Sequence, residues 1–293
     1  MKKYNLGIIG LGTVASGVID SFEKNAGLFK SRYGVEFDIV KIAVRNLNAE
    51  RLVKVDTSLL TDNAEEVVNH PDIDLVLELM GGEEPARTLV LQALNNGKPV
   101  VTANKALIAE FGPELFEAAK ANSTRIFFEA SVAGGIPIIK ALNEGLSANS
   151  ITAIHGILNG TCNYILSRME KGISFEKALN EAQELGYAEA DPTLDVDGFD
   201  AGHKAAILAS LAYGQWFTKE QVTVKGLRNL DLTDMAFARK AGYKIKLLAN
   251  IKKTEEDRVS IDVQPTLVPK DSMIGAVSDV YNGIKISGNV VGD

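Results

Sequence analysis

A chain of 293 residues with 46% hydrophobic and 24% charged side chains is long enough for two lobes and has the balance of a soluble globular protein. Its formal net charge of -7 argues against nucleic acid or an anionic membrane as a partner. A single cysteine, Cys162, excludes an internal disulfide, and with only three histidines a transition-metal cluster lacks ligands. No apolar run is long enough to span a bilayer, and Met1-Lys2-Lys3 leads at once into a strand-like run, not a signal sequence. The expected location is the cytoplasm.

Tyr4 to Ile9 reads as a buried parallel strand and runs into Gly10-Leu11-Gly12-Thr13-Val14-Ala15, followed by a helical stretch. This is the G-x-G-x-x-A form of the dinucleotide fingerprint. Gly10 makes the tight turn, Gly12 admits a pyrophosphate to the backbone, and Ala15 allows close helix-strand packing. The helix N-terminus then faces the phosphates, which makes Gly10, Leu11, Gly12, Thr13 and Val14 cofactor contacts. Phe37 to Val44 is the second strand. No acid lies between Asp38 and Glu50 to hold a ribose 2′-hydroxyl, whereas Arg45 offers a fork for a 2′-phosphate. NADP(H) is therefore expected over NAD(H), with a solvated arginine at a strand end as the alternative.

Strands follow at Ile73–Leu79, Pro99–Thr102 and Arg125–Phe128, with a helix over Glu83–Asn95 and another opening at Ala103-Asn104-Lys105. Alternating strands and helices with short links specify an α/β doubly wound parallel sheet. Ligands of such sheets bind beyond the carboxyl ends of the strands, where Glu78, Thr102 and Lys105 fall. The link Glu129 to Pro137 carries Gly134 and Gly135. A carboxylate with accessible carbonyls is hard-cation chemistry, although a Gly-rich hinge needs no ion. Residues 1–136 form the expected nucleotide-binding domain and 137–293 a second α+β domain for catalysis and dimerisation.

In the second domain a helix is expected from Pro137 to Leu146, a strand over Ser150–Leu158, and a helix entered through Asn159-Gly160-Thr161-Cys162-Asn163-Tyr164-Ile165-Leu166. The stretch Ala182 to Lys204 concentrates Glu189, Asp191, Asp195, Asp197, Asp200, His203 and Lys204. Gly186 ends the preceding helix. Pro192 is expected to bar early re-entry, leaving Glu189 and Asp191 on an irregular loop. A new helix then starts near Asp195 to Gly198, and Asp200 and Lys204, four apart, share one face. That helix is otherwise apolar, so both charges should be buried, as a structural ion pair or as an acid/base group with a lowered lysine pKa. Lys244–Ile251, Arg258–Val263 and Ile284–Ile286 read as strands of a sheet on which a homodimer can pair. Cys162 and His155 read as packing and strand residues, His70 and His203 as surface ones.

The run A-x3-G-Y-A-x2-D-P-x2-D-V-x-G-x-D-x3-K resembles the signature of homoserine dehydrogenase. Val101-Thr102-Ala103-Asn104-Lys105 and the N-G-T-x-N-Y-I-L segment from Asn159 resemble the same family. The resemblance implies reversible NAD(P)H-dependent conversion of L-aspartate 4-semialdehyde to L-homoserine, in threonine, methionine and isoleucine biosynthesis. It makes Lys204 the proton donor and acceptor, and Asp200 and Glu189 the substrate holders. Gly186 and Glu189 join both the substrate and cofactor contacts; Thr102 and Lys105 contact the cofactor, Lys105 with a catalytic role besides. It implies a sodium ion held by the Glu129 side chain and backbone oxygens of Val132, Gly134 and Ile136. In the family the chain returns to the nucleotide lobe after the segment that here reaches Asp293, and many members add an ACT domain. Two other readings stand beside this one: a catalytically inactive nucleotide-binding fragment, and aspartate semialdehyde dehydrogenase, which would need Cys162 as nucleophile.

Overall fold

The computed structural model describes residues 1–292. Two compact units divide at Ser131/Val132. The first carries, in chain order, β1 (Lys2–Ile9), α1 (Thr13–Tyr33), β2 (Val35–Ala43), β3 (Leu60–Thr61), α2 (Glu65–Val68), β4 (Leu75–Glu78), α3 (Ala86–Asn95), β5 (Val100–Thr102), α4 (Lys105–Ala121) and β6 (Ile126–Phe127). Its six strands form one sheet in the order β3-β2-β1-β4-β5-β6, every pairing parallel. Strands buried on both faces read as unbroken apolar runs, as Leu6, Ile8 and Ile9 do at full or near-full burial. Leu6, Ile8, Ile42 and Leu77 pack with Ala15 and Ile19 of α1, so the apolar side of α1 closes one face of the sheet.

One local expectation for this unit changes, and one stretch without an expected element forms structure. The edge strand β3 and the single turn α2 lie in a stretch that shows no periodicity, and two residues of strand are too few to show any. Helix α3 begins at Ala86, with Pro85 as its N-cap, and not at Glu83. A residue that precedes proline is pushed out of the helical region, which keeps Glu84 outside the helix.

The second unit contains α5 (Ile138–Lys140), β7 (Ile151–Ile157), α6 (Gly160–Glu170), α7 (Phe175–Glu184), α8 (Thr193–Val196), α9 (Phe199–Tyr213), β8 (Thr223–Val224), α10 (Leu232–Lys240), β9 (Tyr243–Lys253), β10 (Val259–Pro269), α11 (Met273–Ala276) and β11 (Gly283–Gly288). The sheet order is β11-β7-β9-β10-β8, antiparallel except for the β10/β8 pair. The helix expected over Pro137–Leu146 is α5 followed by a wider turn over Ala141–Gly145, closed by Leu146 N donating to Ala141 O at 2.8 Å. Helix α9 packs against β9 and β10. Ile157, Leu248, Val268 and Ile274 form a core cluster where α11 meets the sheet.

Pro192 leaves Glu189 and Asp191 outside any helix, as expected, but it does not bar re-entry. It is the N-cap of α8, which starts at the very next residue. The proline restriction falls on the residue before it, while a fixed φ and a missing N–H suit a helix start. Asp191 completes the turn, its Oδ1 accepting from Thr193 N at 3.1 Å. Among the described residues no helix is long and apolar enough to cross a membrane.

Candidate active site

The nucleotide side of the first unit is built by the end of β1. Gly10 has φ +94°, and a Cβ there would stand 2.7 Å from Leu79 O and 2.8 Å from Met80 Cα, so only glycine fits. Gly12, the N-cap of α1, meets nothing within 4 Å of an added Cβ, which leaves space for a ligand over the backbone. Among the described residues no side chain caps α1, so its first N–H groups remain for an anion. Thr13 and Val14 are exposed on that first turn, and Ala15 is fully buried against the sheet. Leu11 differs from its neighbours: its side chain belongs to the apolar cluster around Leu6 and Ile8, so it can offer only backbone. Arg45 is exposed just after β2. The loop that follows it is pinned by the Arg51 guanidinium donating to Asn46 O.

The carboxyl ends of β4 and β5 are tied by a buried network. Glu78 is fully buried; its Oε2 accepts from Thr102 Oγ1 at 2.6 Å, and its Oε1 from Met80 N at 3.0 Å and Gly81 N at 3.3 Å. Thr102 Oγ1 in turn accepts from Asn104 N at 2.9 Å. Asn104 caps α4 through Leu107 N at 3.1 Å and donates to Gly82 O at 2.6 Å. The hydroxyl of Thr102 is thus committed on both sides, to Glu78 and to the start of α4. Lys105 is the first residue of α4, half-buried, on the helix that Asn104 caps.

The second unit holds the charged cluster. Gly186 ends α7 in the left-handed region at φ +74°, and Gly198 turns the chain from α8 into α9 at φ +87°, where a Cβ would meet Val224 Cγ1 at 2.9 Å. Helix α9 buries Ala205, Ala206, Ile207 and Leu208 completely, and with them Asp200. Lys204 Nζ donates to Asp200 Oδ2 at 2.7 Å and to Leu158 O at 2.9 Å, with the two side chains 15% and 6% exposed. Asn159 Nδ2 donates to Asp200 Oδ2 at 2.8 Å and to Asp195 Oδ1 at 2.7 Å. Asp197, next along, is held by the Arg228 guanidinium at 2.6 and 3.2 Å, which raises the Arg228 pKa. Glu189 is exposed on the loop before α8, where its carbonyl accepts from Gln183 Nε2 at 3.0 Å.

The structure therefore brings Lys204 and Asp200 into direct contact and leaves the Glu189 carboxylate outside that bonded set. Sequence reasoning missed Asn159 and Asp195 as members. The available signal was an asparagine at a strand-to-helix junction, where an N-cap is wanted. Asp200 and Lys204 form a buried pair, and removing one partner of such a pair costs roughly 3–5 kcal/mol because the other charge is stranded. An ammonium carries three N–H bonds; Asp200 and Leu158 take two of them, so a further acceptor can be accommodated.

Cys162 is fully buried, its Sγ donating to Asp195 O at 3.1 Å. Burial pushes its thiol well above the ordinary range, and the nearby Asp195 and Asp200 charges push it further. Such a thiol is inert, which removes the cysteine-nucleophile reading. His155 is a satisfied strand residue, its Nδ1 3.0 Å from Asn250 Oδ1. Among the described residues no three His, Cys, Asp or Glu side chains group as a metal site.

Known proteins share this sequence pattern and fold. Residues 137–293 match the homoserine dehydrogenase family, and residues 10–129 match the homoserine dehydrogenase NAD-binding domain. The chain is 45% identical over 291 residues to a homoserine dehydrogenase of Synechocystis sp., covering 98% of this chain and 67% of that one. The chain belongs to the homoserine dehydrogenase family. Its fold superposes with a TM-score of 0.93 on a crystal structure of a homoserine dehydrogenase from Thiobacillus denitrificans, at 47% identity over 100% of this chain and 68% of that one. A hyperthermophilic archaeal homoserine dehydrogenase solved in complex with NADPH superposes with a TM-score of 0.81, at 30% identity over 99% of this chain and 89% of that one. The gap between the two family matches, 130–136, contains the contact boundary at Ser131/Val132.

Proposed function

We propose that the chain catalyses the reversible reduction of L-aspartate 4-semialdehyde to L-homoserine, the step toward threonine, methionine and isoleucine. The observation that carries it is the buried Lys204–Asp200 pair, held at 2.7 Å on α9 in a chain of this family. A nicotinamide cofactor, when bound, exchanges a hydride with the carbonyl carbon. The proton is the chain's own task. Lys204 donates it to the developing alkoxide in reduction and takes it from the hydroxyl in oxidation, so that aldehyde, hydride and proton sum to the alcohol. Its positive charge also stabilises that oxygen while it is anionic. Asp200 and Leu158 O hold the ammonium in place, and Glu189 on its exposed loop supplies a carboxylate for the substrate ammonium, with Gly186 at the start of the same loop.

The cofactor is NADP(H) in preference to NAD(H). Gly10 and Gly12 admit the pyrophosphate, Thr13 and Val14 present N–H groups to it, and Arg45 at the end of β2 takes the 2′-phosphate. Lys105, opening α4, contacts cofactor or substrate. A sodium ion suits the oxygen donors of Glu129, Val132, Gly134 and Ile136, an all-oxygen set of the kind hard cations take. Ala133 and Gly134 both lie in the left-handed region, at φ +59° and +58°, which turns successive carbonyls in that segment. The second-unit sheet is the surface for a homodimer, and the cytoplasm is the compartment. Homoserine-dependent reduction of NADP, followed at the nicotinamide absorbance band and compared with NAD, tests reaction and preference together. Reduction faster with NAD would remove the role given to Arg45, and none with either cofactor would remove the activity.

A further inference from the structure

We propose that Asn159 is a positioning residue for proton transfer: its carboxamide clamps the Asp200 carboxylate against Lys204 and bridges it to Asp195. This rests on Lys204 being the proton donor. Asn159 is 6% exposed, and its whole side-chain amide is engaged. Both amide hydrogens go to carboxylates, Asp195 Oδ1 at 2.7 Å and Asp200 Oδ2 at 2.8 Å, while Oδ1 accepts from Cys162 N at 2.8 Å. The reversed amide would set its oxygen against two carboxylates and its NH₂ against an N–H, so the orientation has no competitor.

The choice of a neutral donor has a reason. Asp195 and Asp200 both bond one nitrogen, and like charges so placed repel unless a donor stands between them. A lysine or arginine here would compete with Lys204 for Asp200; the amide satisfies both acids without adding a cation. The junction of β7 and α6 also holds both ends of the ion pair. Leu158 gives its carbonyl to Lys204 at 2.9 Å, and the next residue gives its amide to Asp200. The titratable groups around this point are Asp195, Asp197, Asp200, Lys204 and the buried Cys162. Freed of Asn159, the Asp200 carboxylate can rotate away, which strips Lys204 of part of its counter-charge and makes it release its proton more easily.

Capping and clamping can be separated, because Ser and Asp cap helices as well as Asn does, and neither can donate to two carboxylates at once. The test uses Asn159→Ser and Asn159→Asp in the 293-residue chain. It measures kcat and KM for the semialdehyde against pH, and, independently of turnover, the pH dependence of Lys204 labelling by an amine reagent read by peptide mass mapping. Asn159→Ser should remain folded, with an unfolding midpoint lowered by the loss of two donors to buried acceptors, and keep the parent KM for NADPH. Its kcat should fall about 10- to 100-fold, the scale of a small misplacement of a reacting group. The basic limb of the reductive pH profile, and the labelling curve with it, should move to lower pH; Asn159→Asp should lose more. A parent-like kcat and parent-like curves in a folded Asn159→Ser would reduce Asn159 to a helix cap and overturn the proposal. Lys204→Met distinguishes the two assignments: if it still turns over, the proton-donor reading fails, whereas an inactive Lys204→Met beside a parent-like Asn159→Ser removes the clamp alone.

Discussion

Each of the two units buries a carboxylate at the end of a strand or on a helix, and they treat it differently. Glu78, at the end of β4, is fully buried and bonded to Thr102 Oγ1, Met80 N and Gly81 N. These are neutral donors within one turn or an adjacent strand, and they freeze the loop where the backbone must turn. Asp200, on α9, shares one oxygen between the neutral Asn159 and the cation Lys204. Near-complete burial thus makes Glu78 a rivet among neutral donors and sets Asp200 against a cation. The difference lies in whether any partner can itself change protonation.

That contrast can be broken in order of effect. Lys204→Met should lower kcat by roughly 10²- to 10⁴-fold, the range general acid–base catalysis contributes, with NADPH binding kept; loss of NADPH binding would contradict the role. Gly10→Ala should abolish tight nucleotide binding and lower stability by about 1–3 kcal/mol, because φ +94° and a 2.7 Å approach to Leu79 O leave no room for a Cβ. Isothermal titration with NADPH and a denaturant midpoint report both effects. Glu78→Gln keeps the shape but turns one acceptor into a donor facing other donors. It should cost about 1–3 kcal/mol at the denaturant midpoint, while kcat at saturating cofactor holds. A kcat collapse with parent stability would make Glu78 chemical and not structural.

The legible and illegible parts divide the same way. Long apolar runs bounded by glycine, such as Leu6 to Ile9 before Gly10, and the apolar face of α9 declare themselves by period and punctuation. β3 and β8, two residues each, carry no period to read. The Asp200–Lys204 contact was legible because it is four apart on one helix. The bonds of Asn159 to Asp195 and Asp200 were not, since they join residues 36 and 41 apart in the chain and depend on the β7–α6 junction reaching α8 and α9. The start of α8 is hidden because the proline restriction acts on Asp191, before Pro192, and not on the residues after it.

The smallest predicted effect is a silence. Cys162, raised by burial and by Asp195 and Asp200, should stay protonated and resist iodoacetamide through mildly alkaline pH in the native protein, with full labelling on unfolding. Rapid native labelling with loss of turnover would bring the thiol back into the chemistry.

The most direct measurement is a paired absorbance assay at the nicotinamide band, with L-homoserine and NADP, on the parent chain and on Lys204→Met. The parent should show homoserine-dependent reduction, faster than with NAD, and the variant none above background although it still binds NADPH. Equal rates from the two proteins would contradict the assignment of the proton to Lys204, and with it the reading of α9 as the catalytic helix.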